Sequence, residues 1–300
     1  MVGNLYTQSG PLPPNYSEAA NWYRRAAEAG HNGAARALGS LYLTGAGVPQ
    51  DSDEAAHWLG IAAEAGDPAA QVDLANLVLE GGGGAQDPAR IAGWFQQAAL
   101  LGDLTAAFNL GVCFVKGVGL ERNEEQAATW LRRASEGIPE AQYMYGRLLA
   151  EGRGVSPDPH AARKWFAKAA EAGVLDAQVA LAEMMLNGRG GPLALAPALE
   201  LFKKAAMKGH SGAMFALGAL YSGGHNLPID RAAAQRWFRA AAELGHGPAQ
   251  LMLGRYLIEG AGGELNLTEG QLWLEKAAAQ GISEAERDLA HLRLKSSELA

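Results

Sequence analysis

The chain has 300 residues, of which 48% are apolar and 19% are charged, as in an ordinary globular protein. No apolar run approaches the roughly 18 residues that a membrane-spanning helix needs. The 25 basic and 32 acidic residues leave a net charge of −7, whereas a nucleic-acid-binding rod needs a basic stripe to hold phosphates. We therefore expect neither membrane insertion nor a nucleic-acid partner.

Seven tryptophans recur at a nearly fixed spacing along the chain. They are separated by 36, 36, 36, 35, 72 and 36 residues, and Leu201 occupies the position that the longest interval skips. The tryptophans are Trp22, Trp58, Trp94, Trp130, Trp165, Trp237 and Trp273. A period in this range is typical of a solenoid of stacked helix pairs. Because a side chain that recurs in every unit is usually framework, we interpret the tryptophans as core residues.

In chain order, residues 1–15 align with the end of a later repeat and its loop, so they predict the remnant of a preceding unit. Helix pairs are then predicted to start near residues 16, 52, 88, 124, 159, 195, 231 and 267. The last helix, 283–300, carries charges at positions that are mostly uncharged earlier, as expected of a capping helix. Residues 1–300 are thus predicted to form a single solenoid, the C-terminal part of a longer array.

Each predicted pair has recognisable helix ends. Seven residues before each tryptophan stands a short polar residue that predicts a helix N-cap: Asn15, Asp51, Asp87, Asn123, Asp158, Asp230 or Asn266. A glycine that can close the first helix follows in all eight units: Gly30, Gly66, Gly102, Gly137, Gly173, Gly209, Gly245 and Gly281. The second helix then opens with an alanine in every unit, which predicts close helix packing: Ala34, Ala70, Ala106, Ala141, Ala177, Ala213, Ala249 and Ala285.

The motif formed by these positions resembles the Sel1-like repeat, a relative of the tetratricopeptide repeat. Residues 34–66 match it at Ala34, Leu38, Gly39, Tyr42, Gly45, Gly47, Val48, Asp51, Ala55, Trp58, Ala62, Ala63 and Gly66. The resemblance implies an all-α, right-handed superhelix of about eight 36-residue helix pairs. It also implies that the second helices line a concave groove, with the tryptophan helices outside, and that the chain holds other proteins.

Two positions of the second helix change from unit to unit while the framework stays constant. One lies two residues before the recurring leucine, and the other directly follows the recurring glycine or alanine. Aromatic and arginine side chains are the usual anchors of protein interfaces. The candidate groove residues are Arg36, Asn76, Phe108, Tyr143, Arg147, Glu183, Phe215 and Arg255.

Two alternatives to this groove remain open. The aromatic residues could complete the packing between repeats, with the arginines solvated. An acidic partner could instead bind basic residues of the tryptophan helices, which are Arg24, Arg25, Arg132, Arg133, Lys168, Lys203, Lys204 and Arg239.

The sequence predicts no catalytic residue, metal ligand or cofactor. The glycine-rich segments 81–84 and 188–191 do not lead into the G-K-S/T of a phosphate-binding loop, so we interpret them as turns. His31, His210 and His246 each follow an inter-helix glycine, one per unit, which is not a zinc-site spacing. Cys113 stands where other units have a hydrophobic residue, so we expect it to be buried.

The leading interpretation is a non-enzymatic, monomeric scaffold that binds a peptide or protein segment in the groove. One alternative is an architectural, self-associating domain of a bacterial envelope or polarity protein. A less favoured one is a binder or hydrolase of cell-wall fragments. We expect the protein in the cytoplasm or the periplasm.

Overall fold

The computed structural model describes residues 3, 7, 14–82 and 88–298, and these contain helices and no strand. The predicted fold class is confirmed: the chain is an all-α solenoid of about eight repeats. It divides into two compact units, residues 1–157 and 158–300. The described residues of each unit include four helix pairs. We call the tryptophan-bearing member of each pair the first helix and the other the second helix.

The first unit contains eight of the helices, and the odd-numbered ones are first helices. They are α1 (Tyr16–Glu28), α2 (Asn32–Thr44), α3 (Ser52–Glu64), α4 (Pro68–Leu79), α5 (Pro88–Leu100), α6 (Leu104–Lys116), α7 (Glu124–Ala134) and α8 (Pro139–Glu151).

The second unit continues in the same order. Its helices are α9 (Pro159–Glu171), α10 (Leu175–Leu186), α11 (Leu195–Met207), α12 (Ser211–Tyr221), α13 (Arg231–Glu243), α14 (Gly247–Glu259), α15 (Leu267–Ala279) and α16 (Ser283–Glu298). A single 3₁₀ turn, Gly224–Asn226, lies between α12 and α13.

The predicted N-caps begin the first helices through side-chain hydrogen bonds. The Asp51 carboxylate, for example, accepts the backbone N–H groups of Asp53 and Glu54, both at 3.0 Å. Equivalent bonds are made by Asn15, Asn123, Asp158, Asp230 and Asn266. The predicted cap Asp87 lies outside the described residues. These bonds satisfy amides that the first turn of a helix would otherwise leave unpaired.

The glycines that close the first helices take the left-handed conformation in seven of the eight units, with φ between 81° and 105°. Gly137 is the exception, and its predicted role as a left-handed cap is wrong. In this unit the interval between Trp130 and the glycine is one residue shorter than elsewhere, and α7 has only 11 residues. The chain therefore leaves the helix before it reaches Gly137.

The helix pairs are joined by a close contact between a second helix and the following first helix. A Cβ on Gly39 of α2 would lie 2.7 Å from Cγ and 3.1 Å from the backbone nitrogen of Leu59 in α3. The same relation recurs at Gly111–Leu131, Gly218–Phe238 and Gly254–Leu274. Because glycine has no side chain, the residue after the tryptophan position packs directly against the backbone of the preceding helix.

The most deeply buried large side chain that recurs is therefore the residue after the tryptophan position. These residues are between 0% and 4% exposed: Tyr23, Leu59, Phe95, Leu131, Phe166, Phe202, Phe238 and Leu274. Trp58 and Trp273 are also buried, but the other five tryptophans are only half-buried. Consecutive residues of a helix point about 100° apart, so only one of the two can face the neighbouring helix fully. The tryptophans are thus unequally buried: two lie within the core, whereas Trp237, for example, packs against the core while half-buried.

Five tryptophan rings form cation–π contacts with a lysine or arginine of the same helix. Lys276 Nζ lies 3.9 Å from the Trp273 ring centroid, and Lys168 Nζ lies 4.4 Å from that of Trp165. Arginines take the same role in three more pairs: Arg25–Trp22, Arg90–Trp94 and Arg133–Trp130. The first helices therefore present rings covered by cations at the edge of the core.

The difference in burial between Phe238 and Trp237 is testable. Phe238→Ala should lower the free energy of unfolding by about 3–5 kcal/mol, because it removes a ring that is 1% exposed. Trp237→Ala should cost about half as much, since its ring is only half-buried. Urea denaturation followed by circular dichroism measures both. An equal or larger loss for Trp237→Ala would contradict this ranking.

Two glycines should respond to alanine with opposite signs. Gly39→Ala should destabilise the chain by about 1–3 kcal/mol, because the added methyl meets Leu59. At Gly93, within α5, an added methyl would have no neighbouring atom within 4 Å, so Gly93→Ala should stabilise by about 0.5–1 kcal/mol through helix propensity. Thermal denaturation compares the two variants, and a shift of the same sign in both would refute the close-contact argument.

Candidate functional site

The candidate residues lie on the second-helix face, by which we mean the exposed and half-buried surface of the even-numbered helices. Two recurring positions on this face meet between successive second helices. The trailing position directly follows the recurring glycine or alanine, and the leading position directly precedes the recurring leucine. In the first unit, trailing Asn76 accepts a 2.9 Å hydrogen bond from the amide of leading Asn109. In the second, trailing Arg255 donates from Nε to leading Asp288 at 2.6 Å.

Five candidates belong to the first unit, and four of them interact with other side chains there. Arg36 lies with its Nε 3.3 Å from the Asp67 carboxylate. Arg147 covers the half-buried Tyr143 ring at 5.9 Å and reaches Glu151 at 3.3 Å. Asn76 accepts the hydrogen bond from Asn109 described above. Phe108, the fifth candidate, is half-buried on α6. The arginines on this face are therefore partly neutralised within the chain.

Asp73 and Asn109 are polar residues of the first unit that sequence analysis missed. Asn109 is only 5% exposed, and desolvation raises the pKa of the half-buried Asp73 carboxyl, with nearby Arg36 opposing the shift. Both occupy the leading position. The last unit has Asp288 there, and every other unit has alanine or methionine. That contrast between units was the signal in the sequence that could have identified them.

In the second unit, Phe215 stacks on a histidine that precedes the next second helix. Its ring stacks on that of His246, with centroids 5.0 Å apart and an interplanar angle of 28°. His246 and His210 each accept a backbone N–H of their own helix through Nδ1, at 3.2 Å and 3.0 Å. Both histidines therefore cap the second helices that follow them. Burial and the neighbouring His210 lower the pKa of His246.

Glu183 differs from the other charged candidates because it lacks a partner. It occupies the trailing position of α10, and the leading residue of the next second helix is Ala216, which has no polar group. Across the part of the chain that the structure describes, its carboxylate makes no ion pair or side-chain hydrogen bond. The residue is exposed, yet desolvation by the surrounding protein raises its pKa while His210 opposes the shift.

A pocket of about 280 Å³ surrounds Arg255 between α14, α15 and α16. It is lined by Arg255, Ile258, Glu259, Leu274, Asp288, His291 and Leu292. Its apolar residues come from all three helices, and the Arg255–Asp288 pair adds charge to the lining. This arrangement suits an apolar side chain of a partner that also carries polar groups.

The basic residues of the first helices are largely engaged within their own unit. Arg24 donates to the Tyr42 hydroxyl, and Lys203 pairs with Glu200 at 3.0 Å. Arg239 pairs with Glu269 and, at 3.1 Å, with Glu264. Together with the cations over the tryptophan rings, these contacts engage six of the eight basic candidates, whereas Arg132 and Lys204 make no such contact within the described residues.

The described residues contain no group of three or more histidine, cysteine or acidic side chains placed to hold a metal ion. Among the same residues, no helix combines the length and apolarity required to cross a bilayer. Cys113 is fully buried as expected, and burial raises the pKa of its thiol to about 11. A thiolate nucleophile is therefore disfavoured there at neutral pH.

Comparison with known proteins establishes the family. The Sel1 repeat family matches residues 1–31, 33–67, 68–103, 104–137, 139–174, 175–210, 211–246 and 247–282. The chain therefore belongs to the Sel1 repeat family, whose members generally serve as interaction scaffolds. The family's unit begins at a second helix and ends after the next first helix, so it is built around the Gly39–Leu59 type of contact. Among curated proteins, none matches the chain.

Solved structures of the same family are similar over nearly the whole chain. The chain is 31% identical to c5321, a protective antigen with an SLR fold from uropathogenic Escherichia coli. The TM-score is 0.75, and the match covers 98% of the present chain. It spans 63% of the length of that protein. A Sel1 repeat protein from Oxalobacter formigenes is 32% identical, with a TM-score of 0.74 over 97% of this chain and 84% of the other.

Yeast Tom70 is similar in fold alone. It is 17% identical, with a TM-score of 0.56, and the match covers 99% of this chain and 64% of the Tom70 chain.

The ion pair between Arg239 and Glu269 should make stability depend on pH. Arg239 and the indole N–H of Trp273 both donate to the Glu269 carboxylate and lower its pKa. The ionised form is thus stabilised by folding, and its contribution is complete above the unfolded-state pKa, about 4.3 for glutamate, and lost as pH falls through the lower folded pKa.

Glu269→Gln should therefore reduce the free energy of unfolding by about 1 kcal/mol at neutral pH, since the pair is partly exposed. Urea titrations should show the difference from wild type shrinking as the pH is lowered below about 4. Glu171→Gln on α9 is the control, because its carboxylate makes no ion pair within the described residues. A difference between wild type and Glu269→Gln that stays constant with pH would contradict the assigned role.

Proposed function

We propose that the chain is a non-enzymatic scaffold that binds a protein or peptide segment on its second-helix face. The observation that carries the proposal is the combination of an unpaired carboxylate and a pocket on the second-helix face. Glu183 makes no ion pair or side-chain hydrogen bond within the described residues, and a pocket is lined by Arg255. Groups without partners in the chain are those available to a ligand.

The candidate residues on this face have the chemistry of an interface. Phe108, Tyr143 and Phe215 are half-buried, so each keeps ring surface that a partner can cover. Large aromatic side chains anchor protein interfaces because they bury much area with few rotatable bonds. Binding is therefore the function that these side chains support.

Self-association is a second candidate, favoured by exposed apolar residues at the ends of first helices. Leu101 is 91% exposed at the end of α5, and Met207 is 84% exposed at the end of α11. Exposed apolar surface of this kind often marks contact sites between proteins. Sedimentation velocity over a range of concentrations separates the candidates, because a scaffold that binds other proteins stays monomeric whereas a self-associating domain does not.

Site-specific photo-crosslinking tests the proposed surface. A photo-reactive phenylalanine analogue at Ala219, which is exposed on α12, should form adducts with a partner in lysate of the source cells. The same analogue at Arg236, which is exposed on first helix α13, serves as the control and should give few adducts. Mass spectrometry identifies the partner. Adducts from Arg236 alone would move the interface to the first helices.

A further inference from the structure

The contacts between second helices leave the Glu183 carboxylate without a side-chain partner in the described residues. Where a trailing residue is polar, the next helix can supply a partner, as Asn109 does for Asn76 and Asp288 does for Arg255. At Glu183 the leading residue is Ala216, which has neither a donor nor a charge. The carboxylate therefore sits among the packed second helices without the compensation that its equivalents receive.

The surroundings of Glu183 lack available positive charge. In α10 and α12 the only charged residues are Asp176 and Glu183. Asp176 already lies 3.1 Å from Nε2 of His210. Arg255, the nearest equivalent cation on α14, is tied to Asp288. Among the described residues of α10 and α12, this face thus carries one free carboxylate, Glu183, and no lysine or arginine.

Several neighbouring residues of α10 and α12 on this face are apolar. Val179 and Phe215 are half-buried, and Ala219 is exposed. Phe215 is held on one side by the stacked His246 ring, at 5.0 Å, and its centroid lies 5.8 Å from that of Phe238. A fixed aromatic ring and small neighbouring side chains provide a shallow surface on which an aliphatic or aromatic side chain can pack.

We propose that the second-helix face of α10, α12 and α14 binds a peptide segment that places a lysine or arginine at Glu183 and a neighbouring apolar side chain against Phe215. The inference deepens the proposed function and rests on it. Charge complementarity favours this occupant, since an unpaired partly desolvated carboxylate gains most from an opposite charge. The net charge of −7 adds a longer-range attraction for a basic segment.

Binding of short synthetic peptides to the full chain tests this proposal. One fluorescently labelled set places a lysine or arginine between leucine and phenylalanine residues, and matched sets replace the basic residue by glutamine or glutamate. Fluorescence anisotropy should show that the basic set binds about tenfold more tightly than the glutamine set. The glutamate set should bind more weakly still.

Variants of the chain then locate the charge contact. Glu183→Gln should abolish the preference for basic peptides, and Glu183→Lys should favour the glutamate set instead. The control Glu171→Gln removes the same charge from first helix α9 and should keep the wild-type preference. Circular dichroism confirms that each variant folds, which is expected because Glu183 is exposed and makes no side-chain contact that the fold needs.

Three results would overturn the inference: no binding by any set, equal binding by the three sets, or a basic preference that survives in Glu183→Gln. Its failure is distinguishable from that of the proposed function. If a natural partner still crosslinks from Ala219 in Glu183→Gln, the scaffold function stands and the partner is not held by a basic residue. If Ala219 yields no adduct and no peptide binds, both fall.

Discussion

Where it occurs, the contact between a glycine of one second helix and the residue after the tryptophan position of the next first helix determines how the two helices pack. At Gly39 the absence of a side chain brings Leu59 onto the helix backbone, and at Gly218 it does the same for Phe238. A contact that tolerates no Cβ fixes both the distance and the rotation of the two helices. Once that rotation is set, each remaining position faces the core, the first-helix surface or the second-helix face.

This constraint explains why the framework and the candidate surface can be so different in chemistry within one helix. The glycine and the leucine before it must stay as they are for packing, but the residues on either side of them point away from the contact. These residues can contact the next second helix, as the hydrogen bond between Asn76 and Asn109 shows. Glu183 has no such contact, because Ala216 of the next second helix has no polar side-chain group. Variation between repeats is thus where binding chemistry can be placed without disturbing the stack.

Much of the fold could be predicted because its signals are local. Caps such as Asp51 and closing glycines such as Gly66 act within one helix end, so the sequence alone indicates them. The depth of burial was harder, since periodicity shows that Trp237 recurs but not that Phe238 beside it turns further inward. The polar pairs between repeats were missed for a related reason: they join positions 33 residues apart, and only the register of the packed helices brings them together.

The same reasoning limits what family membership says about function. Residues that match the Sel1 repeat are those that packing demands, so they are shared whatever each protein binds. The similarity to yeast Tom70 at 17% identity is a similarity of helix packing for this reason. Under the proposed function, a partner is recognised by side chains that differ between the repeats of this chain. Among these, Glu183 makes no ion pair or side-chain hydrogen bond within the described residues, and for this reason we place the basic residue of the proposed segment there.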